Sequence, residues 1–446
     1  MRAFAREFES RSAGVICRAP GRVNLLGEHV DYNGLPVLPM TIDRAIAVVA
    51  GVRQDSRVRI RNTDASFAPD EFVNGPDLTP SPQGSWINYC KAAIDGVNRH
   101  YRPDTFPGLD LLYSGTIPAA SGLSSSSALV VATALAYLHA LGIPIDTEAK
   151  RIELAAMLAH AERYVGVHGG GMDQAIILLG AAECACKIDF FPLRVERVPV
   201  FDDHTFVICN SLVTADKSGS AIHRYNEGPL SCRLIRALVE KHAKLTYDDE
   251  IEIEHLGDLW FGPLCLTNVE VEALFRDAFP RPRTTLAQAA TVLDLGEPEI
   301  RRRWLGDLPE PDGGFPLQAR ARHQLTEMAR VEQGRDCLLA SDAVLFGSLM
   351  DDSHQSCADD FGVSSPQLDK LVEIARAAGS IGSRLTGAGF GGCTVNLVET
   401  GQLDHFVQYV SRAYYEDYLG RGRRDAFAND AIIVAHPVPA AGYEDL

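Results

Sequence analysis

Residues 122–128 read GLSSSSA, and this run joins a strand-like segment to a long apolar run that ends at Gly142. A glycine, several hydroxyls and then an apolar helix are typical of a helix N-terminus that binds an anion, because free N–H groups and the helix dipole attract phosphate. The run is not a Walker A loop, since no lysine follows its glycine. A serine-rich N-cap on a core helix is the alternative. Four consecutive serines exceed what a cap needs, so the run predicts phosphate binding by Gly122, Leu123, Ser124, Ser125, Ser126 and Ser127.

A second island, residues 18–40, reads RAPGRVNLLGEHVDYNGLPVLPM and lies between two strand-like stretches, Val15 to Arg18 and Val37 to Ile42. The sequence predicts one turn that carries its polar side chains: Arg22, Asn24, Glu28, His29, Asp31, Tyr32 and Asn33. The carboxylates of Glu28 and Asp31 can accept hydrogen bonds from sugar hydroxyls, and His29 can donate or accept. A solvated surface loop with incidental charges is the alternative, which the flanking hydrophobic stretches disfavour.

A third island, residues 382–395, reads GSRLTGAGFGGCTV and precedes the strand-like run CTVNLV. Five glycines fall within it, at positions 382, 387, 389, 391 and 392. Such a density of glycine lets the main chain approach a ligand or another loop closely. The GAGFGG run lacks the βαβ context and the acidic residue of a dinucleotide-binding site.

Together, the three islands resemble the GHMP kinase superfamily and in particular its galactokinase branch. Further stretches match in the same order, among them SWINYCKA, AERYVGVHGGGMDQ and LMDDSHQSC. Their sequences are similar to those of fungal galactokinases and animal N-acetylgalactosamine kinases. The resemblance covers nearly the whole chain and implies a two-lobed α+β GHMP kinase fold. Its N-terminal lobe, residues 1–205, would be similar to domain 2 of ribosomal protein S5, and its C-terminal lobe, residues 206–446, would be ferredoxin-like.

The pattern of apolar residues agrees with the α+β class, because strands separated by helices occur in both halves of the chain. After residue 210 the periodicity predicts mainly helices, the longest from Gln318 to Gly347. It also predicts a loop from Leu305 to Phe315 and a last strand near Ala431 to Val434.

The resemblance implies that Asp173, in the run GMDQ, lies beside the anomeric hydroxyl of a sugar and that Arg22 is its partner. A hydroxyl is a poor nucleophile until its proton is accepted, and a carboxylate can act as the general base. A guanidinium stabilises the negative charge that develops on the attacking oxygen. Proton removal and simple orientation of the hydroxyl both remain open as the role of Asp173.

The resemblance also implies a magnesium site formed by Glu162 and Ser126, with Ser125 as a neighbour. Glu162 falls at the end of a helix predicted to start at Asp146 or Thr147, and it precedes Asp173 by eleven residues. Its carboxylate and a serine hydroxyl are hard oxygen donors, which suit a Mg²⁺ ion that bridges nucleotide phosphates. A surface glutamate at a helix end is the ordinary alternative.

For the sugar itself, the resemblance assigns Glu28, His29, Asp31, Gly170, Asp173 and Tyr225. Tyr225 precedes Cys232 by seven residues, and it favours galactose because the animal N-acetylgalactosamine kinase carries Phe there. The run YNEGPLSC lacks the arginine usual in the family, and Pro36 replaces the usual Phe, which leaves the sugar open. Trp86 and Tyr89 match aromatics near the nucleotide base, and buried core aromatics are the alternative.

Composition excludes other classes. The formal net charge of −17 argues against nucleic-acid or anionic-membrane binding. The first residues lack the hydrophobic core of an export signal, and the ten cysteines are scattered like reduced core residues of a cytoplasmic protein. The partners that the resemblance implies are a small sugar and ATP, in a monomer or a weak homo-oligomer.

Three functions follow from the sequence. The first is a Mg²⁺-dependent kinase that transfers the γ-phosphoryl group of ATP to the C1 hydroxyl of galactose, or of N-acetylgalactosamine or another sugar. The second is a galactokinase-like sensor, in which two residues of the phosphate loop are missing; here the loop runs through Ser126, Ser127 and Ala128 without a gap. The third is a kinase for mevalonate or homoserine, which the run EHVDYNG disfavours.

Overall fold

The computed structural model describes residues 2–8, 13–119, 121–165, 169–213, 221–421 and 431–446, without the side chains of residues 163 and 221–225. The strands are β1 (Val15–Leu26), β2 (Leu38–Val52), β3 (Arg57–Asn62), β4 (Asp70–Val73), β5 (Leu109–Gly115), β6 (Cys184–Asp189), β7 (Arg194–Pro199), β8 (His204–Asn210), β9 (Gly382–Thr386), β10 (Cys393–Glu399), β11 (Ile432–Ala435) and β12 (Gly442–Asp445).

The helices are α1 (Arg2–Phe8), α2 (Ile87–Tyr101), α3 (Ser125–Ala140), α4 (Glu148–Ala161), α5 (Met172–Leu179), α6 (Ala221–Thr246), α7 (Asp258–Phe261), α8 (Asn268–Ala278), α9 (Leu286–Leu293), α10 (Glu297–Ile300), α11 (Leu317–Ala340), α12 (Ala343–Gln355), α13 (Pro366–Ala377) and α14 (Leu403–Val410). Widened helical turns continue α10 over Arg301–Leu305, α12 over Ser356–Asp360 and α14 over Ser411–Tyr418.

The first sheet has the strand order β12-β1-β2-β5-β3-β4, and all its pairs are antiparallel except the parallel pair β3–β5. Helix α3 packs against β1 and β2. It is apolar around its whole circumference and almost entirely buried, as expected for a helix covered on every side. Packing against the sheet therefore fixes the position of the N-terminus of α3, where the run GLSSSSA lies.

The predicted end of the first strand at Arg18 is wrong, because β1 continues through the polar island to Leu26. Arg22 pairs with Thr41 of β2, and Asn24 pairs with Pro39. A shift of register at Pro20 and Gly21 lets the strand pass the residues that seemed to end it. Arg22 and Asn24 are thus held on a rigid strand, and the turn itself spans residues 27–37.

The second sheet has the order β11-β8-β10-β9 and is antiparallel throughout. The predicted strand near Ala431 is β11, but it is not the last, since β12 follows and pairs with β1 of the first sheet. Strand β12 has the sequence GYED, whose polar residues carry no alternating pattern. The division of the chain at residue 205, which lies within β8, stays a prediction.

A separate helical layer, formed by α6 to α10 and the start of α11, encloses its own apolar cluster, for example Leu234, Leu274 and Phe315. The helix predicted from Gln318 to Gly347 is two helices, because α11 ends at Ser341 with a left-handed backbone and Asp342 caps α12. Residues 306–315 of the loop predicted from Leu305 to Phe315 contain no helix, whereas Leu305 ends the widened turn after α10. Within the described ranges, no helix is both long and apolar enough to cross a membrane.

Candidate active site

The phosphate loop ends in an unusual N-cap. Ser124 precedes α3 with a φ of 60°, and Gly122 has a φ of 79°. The hydroxyl of Ser124 is buried and has no hydrogen-bond partner among the described residues. A buried hydroxyl without a partner is costly, and it lies beside the free N–H groups of a helix N-terminus. These groups fit an anionic ligand such as the phosphates of a nucleotide.

The third island supports this loop from behind. A Cβ atom at Gly387 would lie 2.6 Å from the carbonyl oxygen of Gly122, and one at Gly392 would lie 2.9 Å from that of Ser121. Both residues have positive φ values, 82° and 78°, which glycine adopts without strain. The third island was predicted to approach either a ligand or another loop. Among the described residues its glycines contact another loop, at Ser121 and Gly122.

Arg22 joins the phosphate loop to Asp173. Its Nε donates to Oδ1 of Asp173 at 2.7 Å, and its Nη1 donates to the carbonyl of Gly122 at 2.5 Å. Asp173 stands in the first turn of α5 and is partly exposed, whereas Arg22 is buried. Burial alone would lower the pKa of Arg22, but the charges of Asp173 and Glu28 raise it above its usual value. A fixed cation therefore lies between the loop and the carboxylate.

Glu162 reaches the same place from the end of α4. The N-cap of this helix is Thr147, one of the two predicted starting positions. Its Oε1 accepts from the hydroxyl of Ser127 at 2.7 Å, and that hydroxyl is 3.4 Å from Oδ2 of Asp173. The side chain of Gln174 also donates to Ser127, at 3.4 Å. The serine that meets Glu162 here is thus Ser127, one residue after the predicted Ser126.

No group of three or more His, Cys, Asp or Glu side chains that could hold a metal occurs in the described part of the chain. A buried carboxylate beside serine hydroxyls still fits Mg²⁺, because this ion commonly takes one or two protein ligands and completes its shell with water and nucleotide phosphates.

Of the two predicted base-binding aromatics, Tyr89 lies in the first turn of α2, and burial followed by the charge of Glu162 raises its pKa. Trp86 is the N-cap residue of α2. Its indole donates to the carbonyl of Ala68 at 3.1 Å, and its ring meets Tyr113 edge to face. Trp86 is half-buried, so one part of it packs on the core and another part remains accessible.

The turn of the second island contacts the loop before α5. Oδ2 of Asp31 accepts from the N–H of Met172 at 3.2 Å. A Cβ atom at Gly170 would lie 2.2 Å from the backbone nitrogen of Tyr32, so this close approach requires glycine. His29 has a φ of 58° and donates from Nε2 to the carbonyl of Ala388 at 3.2 Å. The turn and the loop before α5 therefore form one unit. The side chain of Tyr225 lies outside the described residues.

A cavity of about 830 Å³ reaches the turn at Tyr32 and Asn33 and the loop at Gly170. Its other walls come from the connection after β6, at Phe190, and from the helical layer, at Trp304. A concave space that combines backbone groups with aromatic side chains suits a small polar ligand.

Glu28 faces the third island. Its Oε2 accepts from Arg384 Nη2 and from the N–H of Gly387, both at 3.0 Å. Burial raises the pKa of Glu28 to about 7, although the charge of Arg384 lowers it. Both side chains are almost inaccessible to water, with 4% of Glu28 and 0% of Arg384 exposed.

Family models match three parts of the chain: "Galactokinase galactose-binding signature" at residues 2–52, "GHMP kinases N terminal domain" at 88–181 and "GHMP kinases C terminal" at 335–416. Galactokinase from Dictyostelium discoideum is 33% identical over 90% of this chain and 84% of its own length. The chain belongs to the galactokinase family. Another galactokinase, from Roseiflexus sp., is 35% identical over 91% of the chain and 89% of its own length.

Among solved structures, the galactokinase of Lactococcus lactis complexed with galactose superposes with a TM-score of 0.77. It is 28% identical and covers 99% of this chain and 98% of its own. The α+β GHMP kinase fold expected of a galactokinase is thereby confirmed, as is the expected class of enzyme, a sugar kinase. Membership of this kinase family also makes ATP the co-substrate.

Sequence reasoning missed the charged residues behind this galactokinase site. Arg384 stands inside the third island, where only the glycines were given a role. Glu327, on α11, accepts from the backbone N–H of Gly27 at 2.8 Å. A charged residue embedded in an otherwise apolar or glycine-rich run was the available signal, since such a charge is buried only when it is paired.

Proposed function

We propose that this enzyme transfers the γ-phosphoryl group of ATP to the C1 hydroxyl of galactose and releases galactose 1-phosphate and ADP. The observation that carries the proposal is the position of Arg22, which bonds Asp173 on one side and the phosphate loop at Gly122 on the other. A sugar hydroxyl beside Asp173 would thus lie close to the terminal phosphate of a nucleotide on the loop.

In the proposed reaction, Asp173 accepts the proton of the C1 hydroxyl as the sugar oxygen bonds to the γ-phosphorus. The bond from that phosphorus to the β,γ-bridging oxygen breaks, and ADP leaves with the electron pair. Arg22 stabilises the negative charge on the attacking oxygen, and the helix N-terminus at Ser124 to Ser127 holds the phosphates. Such transfers depend mainly on positioning and charge neutralisation.

Glu162 and Ser126 would hold a Mg²⁺ ion, with Ser125 beside them, and Ser127 would fix the Glu162 carboxylate through its 2.7 Å hydrogen bond. The ion, when bound, neutralises charge on the phosphates. Trp86 and Tyr89 would contact the base. The sugar hydroxyls would be bound by Glu28, His29, Asp31, Gly170 and Tyr225.

All ten cysteines are free thiols, which supports a cytoplasmic location. The proposed oligomeric state is a monomer or a weak homo-oligomer.

The test of this function is a screen of ATP consumption over galactose, N-acetylgalactosamine, glucose, arabinose and glucuronate. We expect the highest kcat/KM with galactose, because Tyr225 favours a sugar with a plain C2 hydroxyl. A higher kcat/KM with N-acetylgalactosamine would replace galactose as the substrate and keep the kinase. Sugar binding without any turnover would instead favour the sensor.

Galactose affinity is expected to depend on pH through Asp31. Burial, followed by repulsion from Asp173, raises the pKa of Asp31 to about 6. Below that pH the carboxyl group is protonated and loses part of its capacity to accept from a sugar hydroxyl. The Kd for galactose, measured by calorimetry from about pH 5 to about pH 8, should therefore rise by up to about tenfold per pH unit below 6. Asp31→Asn should bind galactose more weakly and should lose the part of this rise that occurs below pH 6. A wild-type Kd that is no more pH-dependent below pH 6 than that of Asp31→Asn contradicts this role.

A further inference from the structure

Helix α11 passes beneath the sugar-binding turn and presents three fully buried polar side chains to it, His323, Gln324 and Glu327. The side chain of Gln324 contacts both ends of the segment from His29 to Asn33. Its Nε2 donates to the carbonyl of His29 at 3.0 Å, and its Oε1 accepts from the side chain of Asn33 at 2.8 Å. The amide group of Gln324 thus links His29 and Asn33, which lie on either side of Asp31 in the sequence.

The neighbouring side chains of the helix hold the residues just before this segment. His323 Nε2 donates to the carbonyl of Glu28 at 2.9 Å, and its Nδ1 lies 2.9 Å from the hydroxyl of Ser356. Burial lowers the pKa of His323 to about 4. Glu327 accepts from the N–H groups of Gly27 and Glu28 at 2.8 and 3.2 Å.

The segment needs such support because its backbone is strained. His29 has a φ of 58°, a conformation that residues other than glycine rarely adopt and that persists only where the surroundings determine it. Gln324 binds the carbonyl of this same residue, and neither Gln324 nor Asn33 belongs to the residues proposed to contact sugar. The phosphate loop, Arg22 and Asp173 make none of their described hydrogen bonds with α11.

We propose that Gln324 is a positioning residue for the sugar: by bridging His29 and Asn33 it fixes the side chains of His29 and Asp31 in the geometry that binds the acceptor. This inference rests on the proposed function and extends it to a residue without sugar contact. It requires that loss of the bridge weakens sugar binding while nucleotide binding and phosphoryl transfer stay intact.

The test is the kinetics of Gln324→Met, which keeps the length of the side chain and removes both hydrogen bonds. The KM and the Kd for galactose should rise about tenfold, the usual effect of one or two buried hydrogen bonds. The KM for ATP and kcat at saturating sugar should stay within about twofold. Asn33→Ala removes the donor to Gln324 Oε1 and leaves the donor to His29, so it should show the same split with a smaller rise.

The matched control is Gln318→Met on the same helix, where the amide donates to the carbonyl of Phe279 at 3.1 Å, away from the turn. It should lower stability without changing either KM. Should Gln324→Met not fold, Asn33→Ala carries the test. An unchanged KM for galactose in the folded variants, or an equal rise in both KM values, overturns the positioning role. Absence of galactose turnover in the wild type would instead reject the proposed substrate, and the acceptor found in the screen then replaces galactose in these measurements.

Discussion

Replacing Asp173 by Asn is expected to lower kcat about 10³-fold, within the range attributed to a positioned general base. The amide keeps the shape of the side chain and an oxygen that can accept from Arg22, whose Nε lies 2.7 Å from Oδ1 of Asp173 in the wild type. It cannot take the proton of the C1 hydroxyl. Galactose binding should change only a few-fold, because Glu28, His29 and Asp31 are untouched. Steady-state kcat and the calorimetric Kd for galactose measure the two effects separately.

A matched control is Asp146→Asn, which removes an exposed carboxylate paired with Lys150 at 2.8 Å on the outside of α4. This variant should retain wild-type kcat and KM. If Asp173→Asn kept kcat within about tenfold of the wild type, orientation of the hydroxyl rather than proton transfer would describe the role of Asp173.

Local patterns allowed the loop at GLSSSSA and the helix that follows it to be predicted, because the glycine, the serines and the apolar run that decide them are adjacent in sequence. The same holds for α4, whose cap at Thr147 is a local signal. The extent of β1 was not predictable in this way. The proline and glycine of the run Ala-Pro-Gly argue against a continuous strand, and only pairing with β2 shows that a bulge carries the chain past them.

The support of the site depends on contacts between distant residues. Glu327 and Gly27 are 300 positions apart, and Arg384 and Glu28 are 356 apart. The sequence showed Glu28 and Arg384, but it carried no record that these two distant charges would neutralise each other. For this reason Glu28 was predicted only as a ligand of the sugar, whereas the structure shows that it binds Arg384 and the backbone N–H of Gly387 in the third island.

The second large effect is expected from this anchor. Arg384→Met should lower the free energy of unfolding by about 3–5 kcal/mol, because it leaves the carboxylate of Glu28 buried without its cation. Glu28→Gln should likewise destabilise the protein by leaving Arg384 uncompensated. The double variant should lose less than the sum of the two single losses, since neither charge then remains unpaired. Urea denaturation of the four proteins gives this coupling energy.

The pH dependence of the loss identifies its cause. In the wild type Arg384 lowers the pKa of Glu28, which is about 7; without the cation this pKa rises further. The folded variant then binds more protons than the folded wild type at pH values above 7, so its stability falls more steeply as the pH rises. The loss caused by Arg384→Met should therefore be larger at about pH 8 than at about pH 6, and this difference should vanish in the Glu28→Gln background.

The matched control is Arg57→Met, which breaks an exposed pair with Glu71. It should lower the free energy of unfolding by at most about 1 kcal/mol. A loss from Arg384→Met no larger than this control would mean that the buried pair contributes no more than a surface one.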